Sequence, residues 1–150
     1  MELTIEQAMQ QGVAAHREGR LKEAERLYRT ILESQPTHPD ANHNLGLLTL
    51  STSHADIALP LFKIALETNP NVEQFWFSYI DALIKAKRID NAKQVIERGR
   101  EYGVDEEKLN AIEVPLAAVV PAREPTSIKK KQTLSEKRKK LAAEKKEKKR

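Results

Sequence analysis

Apolar residues recur at helical spacing through most of the chain, and short polar turns, most of them containing glycine or proline, separate the apolar stretches. The second stretch illustrates the pattern, because four apolar or aromatic residues fall at positions i, i+3, i+4 and i+7: Ala24, Leu27, Tyr28 and Ile31. Residues at this spacing lie on one face of an α-helix. The pattern therefore predicts an amphipathic helix over about residues 21–34.

The residues that flank the apolar stretches predict where helices begin and end. Thr4, followed three residues later by Gln7, has the capping-box pattern that begins a helix. Gly19 can take the left-handed conformation that ends a helix, so the first helix is expected to stop just before it. Pro39 suits the first turn of the third helix, where its missing N–H costs nothing.

The same layout returns after thirty-four residues. Equivalent positions carry similar residues: Ala24, Ala58 and Ala92; Leu27, Leu61 and Val95; Tyr28, Phe62 and Ile96; Gly12 and Gly46; Pro36 and Pro70. Because this interval exceeds the period of any single helix or strand, it indicates a repeated pair of helices. Small residues allow two helices to approach closely where they cross, and aromatic residues fill the wider gaps beside them.

These residues resemble the signature of the tetratricopeptide repeat (TPR), a helix–turn–helix element of 34 residues. The matching positions are Gly12, Ala24, Tyr28 and Pro36 in the first repeat; Leu45, Gly46, Ala58, Phe62, Ala65 and Pro70 in the second; and Trp76, Leu83 and Ala92 in the third. The resemblance implies an all-α fold: a right-handed superhelical array of three TPR-like repeats with a short capping helix and a basic tail. Ile80 departs from the signature, which has a small residue there.

The repeat register also sets the expected boundaries along the chain. The expected segments are an array over 4–113, with repeats at about 5–38, 39–72 and 73–106 and a cap at 105–113; a proline-containing linker over 114–128; and a basic low-complexity tail over 129–150. Asp105 is expected to cap the closing helix, with Leu109 and Ile112 packed against the third repeat. Pro60 falls inside the fourth helix, where we expect a kink.

In the TPR family, the first helices of successive repeats line a concave groove that binds peptides. Carried over by position, the expected peptide-binding residues are Met9, Val13, Arg17, His43, Asn44, Leu47, Leu50, Gln74, Phe77, Ser78, Asp81 and Lys85. The apolar members lie off the packing face of their helices, and exposed apolar patches usually mark interaction sites. The chain is therefore expected to be a non-catalytic scaffold or adaptor with a protein or peptide ligand. The alternative is that its own tail or linker, or a partner chain, covers these residues.

Two sub-types of TPR array differ in their groove residues. The type that grips the C-terminal carboxylate of chaperone tails needs lysine, arginine and asparagine at set positions, which here hold Met9, Val13, Asn44, Gln74 and Ser78. Only Asn44 fits, so this clamp is expected to be absent. The repeats also resemble the N-terminal arrays of bacterial O-linked N-acetylglucosamine transferase-like proteins, without the catalytic domain. A targeting module of, or a fragment related to, such a glycosyltransferase is therefore an alternative function.

Charge is distributed unevenly along the chain. Residues 126–150 contain 12 Lys/Arg and 3 Glu, a balance of +9, whereas the other 125 residues contain 14 Lys/Arg and 19 Asp/Glu, a balance of −5. The basic cluster predicts electrostatic attachment to an acidic surface, with weak non-specific contact to nucleic acid as a second alternative function. Its expected contact residues are Lys129, Lys130, Lys131, Lys137, Arg138, Lys139 and Lys140.

Motifs for catalysis or cofactor binding are absent from the sequence, which has no phosphate-binding loop, nucleophile elbow or H-E-x-x-H pattern. His38 and His43 lack the spacing of metal ligands on one helix, so they are expected to be a connector and a groove residue. The absence of cysteine excludes disulfides and zinc–thiolate sites. No enzymatic activity, metal or cofactor is expected. A cytoplasmic location is expected, because the N-terminus has no apolar signal.

Overall fold

The computed structural model describes residues 2–52 and 54–123, with side chains through residue 117. The described residues form seven helices and no strand: α1 (Ile5–Arg17), α2 (Leu21–Ser34), α3 (Pro39–Ser51), α4 (Ala55–Thr68), α5 (Glu73–Lys85), α6 (Ile89–Glu101) and α7 (Glu106–Arg123). The starts of α1, α3 and α5 are 34 residues apart, and so are the starts of α2, α4 and α6. The predicted helix pairs and their period are confirmed.

By its internal contacts the chain divides into two compact units, Met1–Leu109 and Asn110–Arg150. The first unit holds the three helix pairs and the first turn of α7. Each of the helices α1 to α5 contacts the next one along the chain, and α3 also contacts α1 and α5. The first helices of the three pairs therefore form one layer, and the buried apolar residues lie between this layer and the second helices.

The backbone of the first helix lies directly against an aromatic ring of the second helix in the first two pairs. A Cβ atom added at Gly12 would lie 2.7 Å from Cε1 of Tyr28, and one added at Gly46 would lie 2.7 Å from Cε1 of Phe62. Both aromatic residues are 0% exposed. Because a buried ring in a close-packed core has little room to move, only glycine fits beneath each ring.

The third pair packs the same crossing with different residues. Ile80 stands at the position of the two glycines, and Ile96 stands at the position of the two aromatic residues. Both isoleucines are 0% exposed. A larger side chain on α5 is thus accompanied by a smaller one on α6, and exchanges that conserve core volume are the best tolerated. The larger residue at Ile80, where the repeat signature has a small one, is thus matched by the smaller residue at Ile96, where the other repeats have an aromatic ring.

Successive repeats are joined by a side-chain hydrogen bond to the carbonyl oxygen of a closing proline. Asn42 Nδ2 donates to the oxygen of Pro36 at 3.0 Å, and Trp76 Nε1 donates to the oxygen of Pro70 at 2.8 Å. Asn42 and Trp76 are equivalent positions, 34 residues apart. A buried indole N–H needs an acceptor, and the oxygen of Pro70 supplies it for Trp76. Trp76 therefore both fills space between the helices and fixes the turn between α4 and α5.

The predicted helix ends agree with the structure at two positions. Thr4 and Gln7 form a complete capping box, with both side chain-to-backbone hydrogen bonds at 3.0 Å. Gly19 has φ 82°, and Lys87, at the equivalent position of the third repeat, has φ 62°. The helix α4 continues through Pro60, which has no N–H to donate to the preceding turn. The kink expected there stays a prediction.

The start of α7 follows the sequence prediction. The N–H of Lys108 donates to Oδ1 of Asp105 at 3.1 Å, so Asp105 caps the helix as expected. Leu109 is 0% exposed and lies 3.6 Å from the position of a Cβ added at Gly99 on α6. The first turn of α7 therefore packs against the third repeat.

The end of α7 differs from the sequence prediction. A linker was expected over 114–128, yet α7 continues to Arg123, so this prediction is wrong for 114–123. Pro115 and Pro121 each remove one backbone N–H, and valine, leucine and alanine surround them. The helix continues through both prolines. Residues 124–128 lie outside the described residues.

We expect Gly12→Ala and Gly46→Ala to destabilise the protein, because the new methyl group would overlap a buried ring. The expected loss in the free energy of unfolding is about 1–3 kcal/mol for each variant. Gly99→Ala is the matched control, because a Cβ there meets its nearest neighbours at ordinary distances of 3.5–3.6 Å. That control should gain up to about 1 kcal/mol from helix propensity. Urea denaturation measures all three variants, and equal stabilities would contradict this packing.

A double variant separates the close contact from other effects of alanine. Phe62→Ile copies the smaller partner found in the third repeat, so it should make room for a methyl group at Gly46. The cost of Gly46→Ala should then be smaller in the Phe62→Ile background than in the natural chain, as expected for residues in direct contact. Strict additivity of the two changes would argue against the contact.

Candidate functional site

The exposed side of α1, α3 and α5 carries the residues expected to bind a peptide, and we call it the first-helix face. Five of these residues are exposed: Arg17, Leu47, Gln74, Asp81 and Lys85. Five are half-buried: Met9, Val13, Asn44, Leu50 and Phe77. Two are buried: His43 and Ser78. Leu47, with 36% of its surface exposed, is the large apolar residue most open to solvent on this face.

His43 and Ser78 link the first helices of the second and third repeats. His43 Nε2 lies 2.7 Å from Ser78 Oγ, and Gln74 Nε2 donates to the same oxygen at 3.2 Å. The imidazole also contacts the rings of Phe62 and Phe75, with centroid separations of 5.6 and 4.8 Å. His43 is only 7% exposed and Ser78 only 5%. These two side chains direct their polar atoms at each other and hold α3 against α5.

The pKa of His43 reflects this environment. Burial lowers the pKa of the imidazole below its usual value, because a charged ring loses hydration between the two phenylalanines. A hydrogen bond with the side chain of Asn44 and the negative charge of Asp40 act in the opposite direction, but both are smaller effects. The folded protein therefore favours neutral His43.

Phe77, one of the apolar residues expected to bind the peptide, is half-buried and has a cation nearby. Lys108 Nζ lies 5.9 Å from the centroid of its ring, within the range of a cation–π contact. The same ammonium lies 2.9 Å from Oε1 of Glu73, and Oε2 of Glu73 accepts the N–H of Asp105 at 3.2 Å. Through this bond the Glu73 carboxylate raises the pKa of the Lys108 ammonium, and the ammonium lowers the pKa of the Glu73 carboxyl. The start of α7 is thus tied to the first-helix face beside Phe77.

A shallow depression of about 240 Å³ lies between the first and second repeats on the first-helix face. Its lining includes three of the expected ligand residues, Val13, Arg17 and Asn44. Tyr28 forms part of it, with the hydroxyl 3.4 Å from Nδ1 of His16, and burial raises the pKa of that hydroxyl. An apolar wall, a guanidinium and a side-chain amide therefore meet at one place.

On the third repeat, the exposed charges of the first-helix face are paired. Lys85 Nζ lies 3.1 Å from Oδ2 of Asp81, one helical turn away. Pairs of this kind between exposed side chains contribute little to stability. They do lower the net charge that this part of the face presents to a ligand.

The remaining chemical predictions concern His38, a metal site and the basic tail. His38 is the N-cap of α3, where Nδ1 accepts the N–H of Ala41 at 3.1 Å, as suits a connector. The residues described contain no group of three or more His, Asp or Glu side chains that could hold a metal ion. Among the same residues, no helix has the length and apolar character needed to cross a membrane. The predicted tail contacts at 129–140 lie outside the described residues.

Acid conditions should destabilise the protein through His43. Its pKa is lower in the folded state than the ordinary value of about 6.5, so the unfolded chain binds the proton more readily. Stability is therefore full above the ordinary pKa, falls as the pH drops from there to the folded-state pKa, and then levels off. His43→Gln removes the titrating imidazole and puts in its place a side-chain amide that can still hydrogen bond with Ser78. Urea denaturation at a series of pH values should show a smaller acid loss for His43→Gln than for the natural chain; parallel curves would contradict the assignment.

Comparison with known proteins identifies the fold. No model of a protein family matches the sequence, and no curated protein sequence matches it either. Solved structures do match: the first TPR of Spaghetti (RPAP3) bound to the HSP90 peptide SRMEEVD has a TM-score of 0.67 at 15% identity, covering 75% of this chain and 90% of that chain. The Sgt2 TPR domain from Aspergillus fumigatus has a TM-score of 0.67 at 18% identity, covering 80% and 82%.

A third match is MamA from Desulfovibrio magneticus RS-1, with a TM-score of 0.69 at 15% identity, covering 91% of this chain and 77% of that chain. At these low identities the likeness establishes the fold and leaves function to the residues of the site. Each matching chain is similar over most of its own length. The predicted architecture is thereby confirmed: the chain has the fold of a tetratricopeptide-repeat array.

Proposed function

We propose that this protein is a scaffold that captures an extended segment of another protein on the first-helix face. The observation that carries the proposal is the apolar surface left open at Leu47, which is 36% exposed in the middle of the three first helices. Two further apolar residues of this face are half-buried. Val13 is the equivalent of Leu47 in the first repeat, and Leu50 lies one turn further along α3. Apolar surface that packing could have covered usually marks a binding site.

Asn44 is the residue proposed to read the backbone of the bound segment. Its side chain is half-buried and lines the depression between the first and second repeats with Val13 and Arg17. A side-chain amide carries two donor hydrogens and two acceptor lone pairs, which can bond to a peptide backbone. His43 and Ser78 act in this proposal as positioning residues, because both are buried against each other.

The similar structures support this proposal only by analogy of fold. The first TPR of Spaghetti (RPAP3) was solved with the HSP90 peptide SRMEEVD bound, so the fold can hold an extended peptide. In the present chain, the positions of the carboxylate clamp carry Met9, Val13, Gln74 and Ser78, with Asn44 as the matching residue. The proposed ligand is therefore recognised by apolar contact and backbone hydrogen bonds rather than by a terminal carboxylate.

Leu47→Ser should weaken peptide binding while the protein stays folded. Loss of a buried leucine contact corresponds to about tenfold to hundredfold weaker binding. Peptides selected from a random display library on the natural chain provide the ligands, and fluorescence anisotropy measures their affinity. Combining Leu47→Ser with Phe77→Ser should weaken binding further, because both apolar anchors are then missing.

Leu3→Ser is the matched control, since Leu3 is an equally large apolar residue, 44% exposed, that precedes α1 and lies off the first-helix face. The control should bind the selected peptides as the natural chain does, and thermal melting confirms that all variants fold. If Leu47→Ser binds as tightly as the control, the site is elsewhere.

The peptide SRMEEVD should not bind this protein at submillimolar concentration. The peptide is strongly acidic, whereas the cations on the first-helix face are Arg17 and Lys85, and Lys85 is paired with Asp81. Because the face has few unpaired cations, the carboxylates of a bound SRMEEVD peptide would lose hydration without gaining an opposite charge. Isothermal titration calorimetry at low salt gives the most sensitive measurement. Saturable binding of SRMEEVD would contradict the proposed mode of recognition.

A further inference from the structure

The outer side of α4 carries a row of apolar residues that the fold does not bury. Ile57 is 58% exposed, Pro60 is exposed and Ile64 is half-buried. Their spacing of i, i+3 and i+7 places them on one face of the helix. The buried residues of α4, such as Ala58 and Phe62, occupy the opposite face. We call Ile57, Pro60 and Ile64 the α4 stripe.

The other two repeats have no counterpart to the α4 stripe. The equivalent residues are Glu23, Arg26 and Thr30 on α2, and Asn91, Gln94 and Arg98 on α6. The three second helices share the same packing against their first helices, so packing within a repeat does not require apolar residues at these positions. A single exposed isoleucine would be ordinary, but an apolar row confined to one of three equivalent helices marks an interaction surface.

Charged residues flank the stripe along one side only. Asp56 and Lys63 are seven residues apart, so they lie two turns apart on the same flank of α4. Asp56 lies 3.3 Å from Arg88, but the side chain of Asp56 is 73% exposed and stays open to a second partner. That flank thus carries a negative charge near its start and a positive charge at Lys63, followed one turn later by the negative charge of Glu67.

The arrangement is self-complementary about residue 60. When two copies of a helix pack antiparallel about a two-fold axis, each flank meets the same flank of the partner, and every contact occurs twice. With Pro60 at the axis, Ile57 of one copy lies within one residue, about 1.5 Å along the helix, of the level of Ile64 of the other, and Asp56 lies equally close to the level of Lys63. The apolar and the charged positions therefore match, to within one residue, in the same register.

We propose that the α4 stripe is the contact surface of a symmetric dimer of this protein, with two α4 helices packed antiparallel. The chain's own basic tail is a poorer occupant: beyond residue 128 its large apolar residues are only Leu134 and Leu141, and its positive charge would repel Lys63. A second copy supplies both the apolar row and the opposite charges. Three apolar side chains from each copy form a small contact, so the association is weak and depends on concentration.

Sedimentation equilibrium of the full chain tests the dimer. The weight-average mass should rise from 17.1 kDa at low micromolar concentration towards twice that value at millimolar concentration. Ile57→Arg should keep the protein monomeric, with the dissociation constant raised about tenfold or more. Asn91→Arg, the same change at the equivalent position of α6, is the matched control and should associate as the natural chain does. A natural chain that is monomeric throughout, or an Ile57→Arg variant that still associates, would overturn the proposal.

Charge exchange tests the antiparallel register itself. Asp56→Lys alone should weaken association, because it places two lysines opposite each other, and Lys63→Asp alone should do so by placing two aspartates together. The double variant Asp56→Lys with Lys63→Asp restores opposite charges and should recover most of the lost affinity. Thermal melting of each variant separates these effects from the loss of the contact with Arg88. A double variant as weak as the worse single variant would rule out this register.

Discussion

The close approach of a helix backbone to an aromatic ring is the constraint on which the rest of this structure depends. Gly12 lies beneath Tyr28 and Gly46 lies beneath Phe62, and neither site has room for a methyl group. This contact sets the separation of the two helices in the first two pairs, and Ile80 with Ile96 fills the same crossing in the third. The first helices can then lie side by side and expose a continuous face, because the second helices pack behind them.

Polar groups within the array serve mainly to hold neighbouring repeats together. Asn42 and Trp76 bond to proline carbonyl oxygens at the turns, and His43 bonds to Ser78 between two first helices. Forming such a hydrogen bond adds little net stability, but leaving one of its partners buried and unpaired costs more. These bonds therefore favour one arrangement of the repeats over others more than they stabilise the fold. The position of Leu47 on the first-helix face is therefore set by contacts that lie beneath the face.

The sequence predicts the repeat architecture well because close packing restricts residue types at fixed intervals. Gly12 and Tyr28 reveal the crossing of the first pair, whereas Ile80 and Ile96 hide the equivalent crossing because both members changed together. The burial of His43 was not predictable from its position in the repeat, since it depends on Ser78 and Phe75 in the next one. The length of α7 was misjudged because proline signals a break, while its cost within a helix is local. The bond from Asn42 could have been found, since Asn42 and Trp76 both follow a proline by six residues.

Trp76 is the single tryptophan of the chain, and it is 2% exposed at the junction of the second and third repeats. Its ring lies 5.2 Å from that of Tyr102, and its N–H is bonded to Pro70. Repeat arrays can lose structure from one end while the remainder stays intact. Tryptophan fluorescence, excited without the tyrosines, therefore reports on the C-terminal half of the array, and melting of α1 and α2 alone would leave it unchanged.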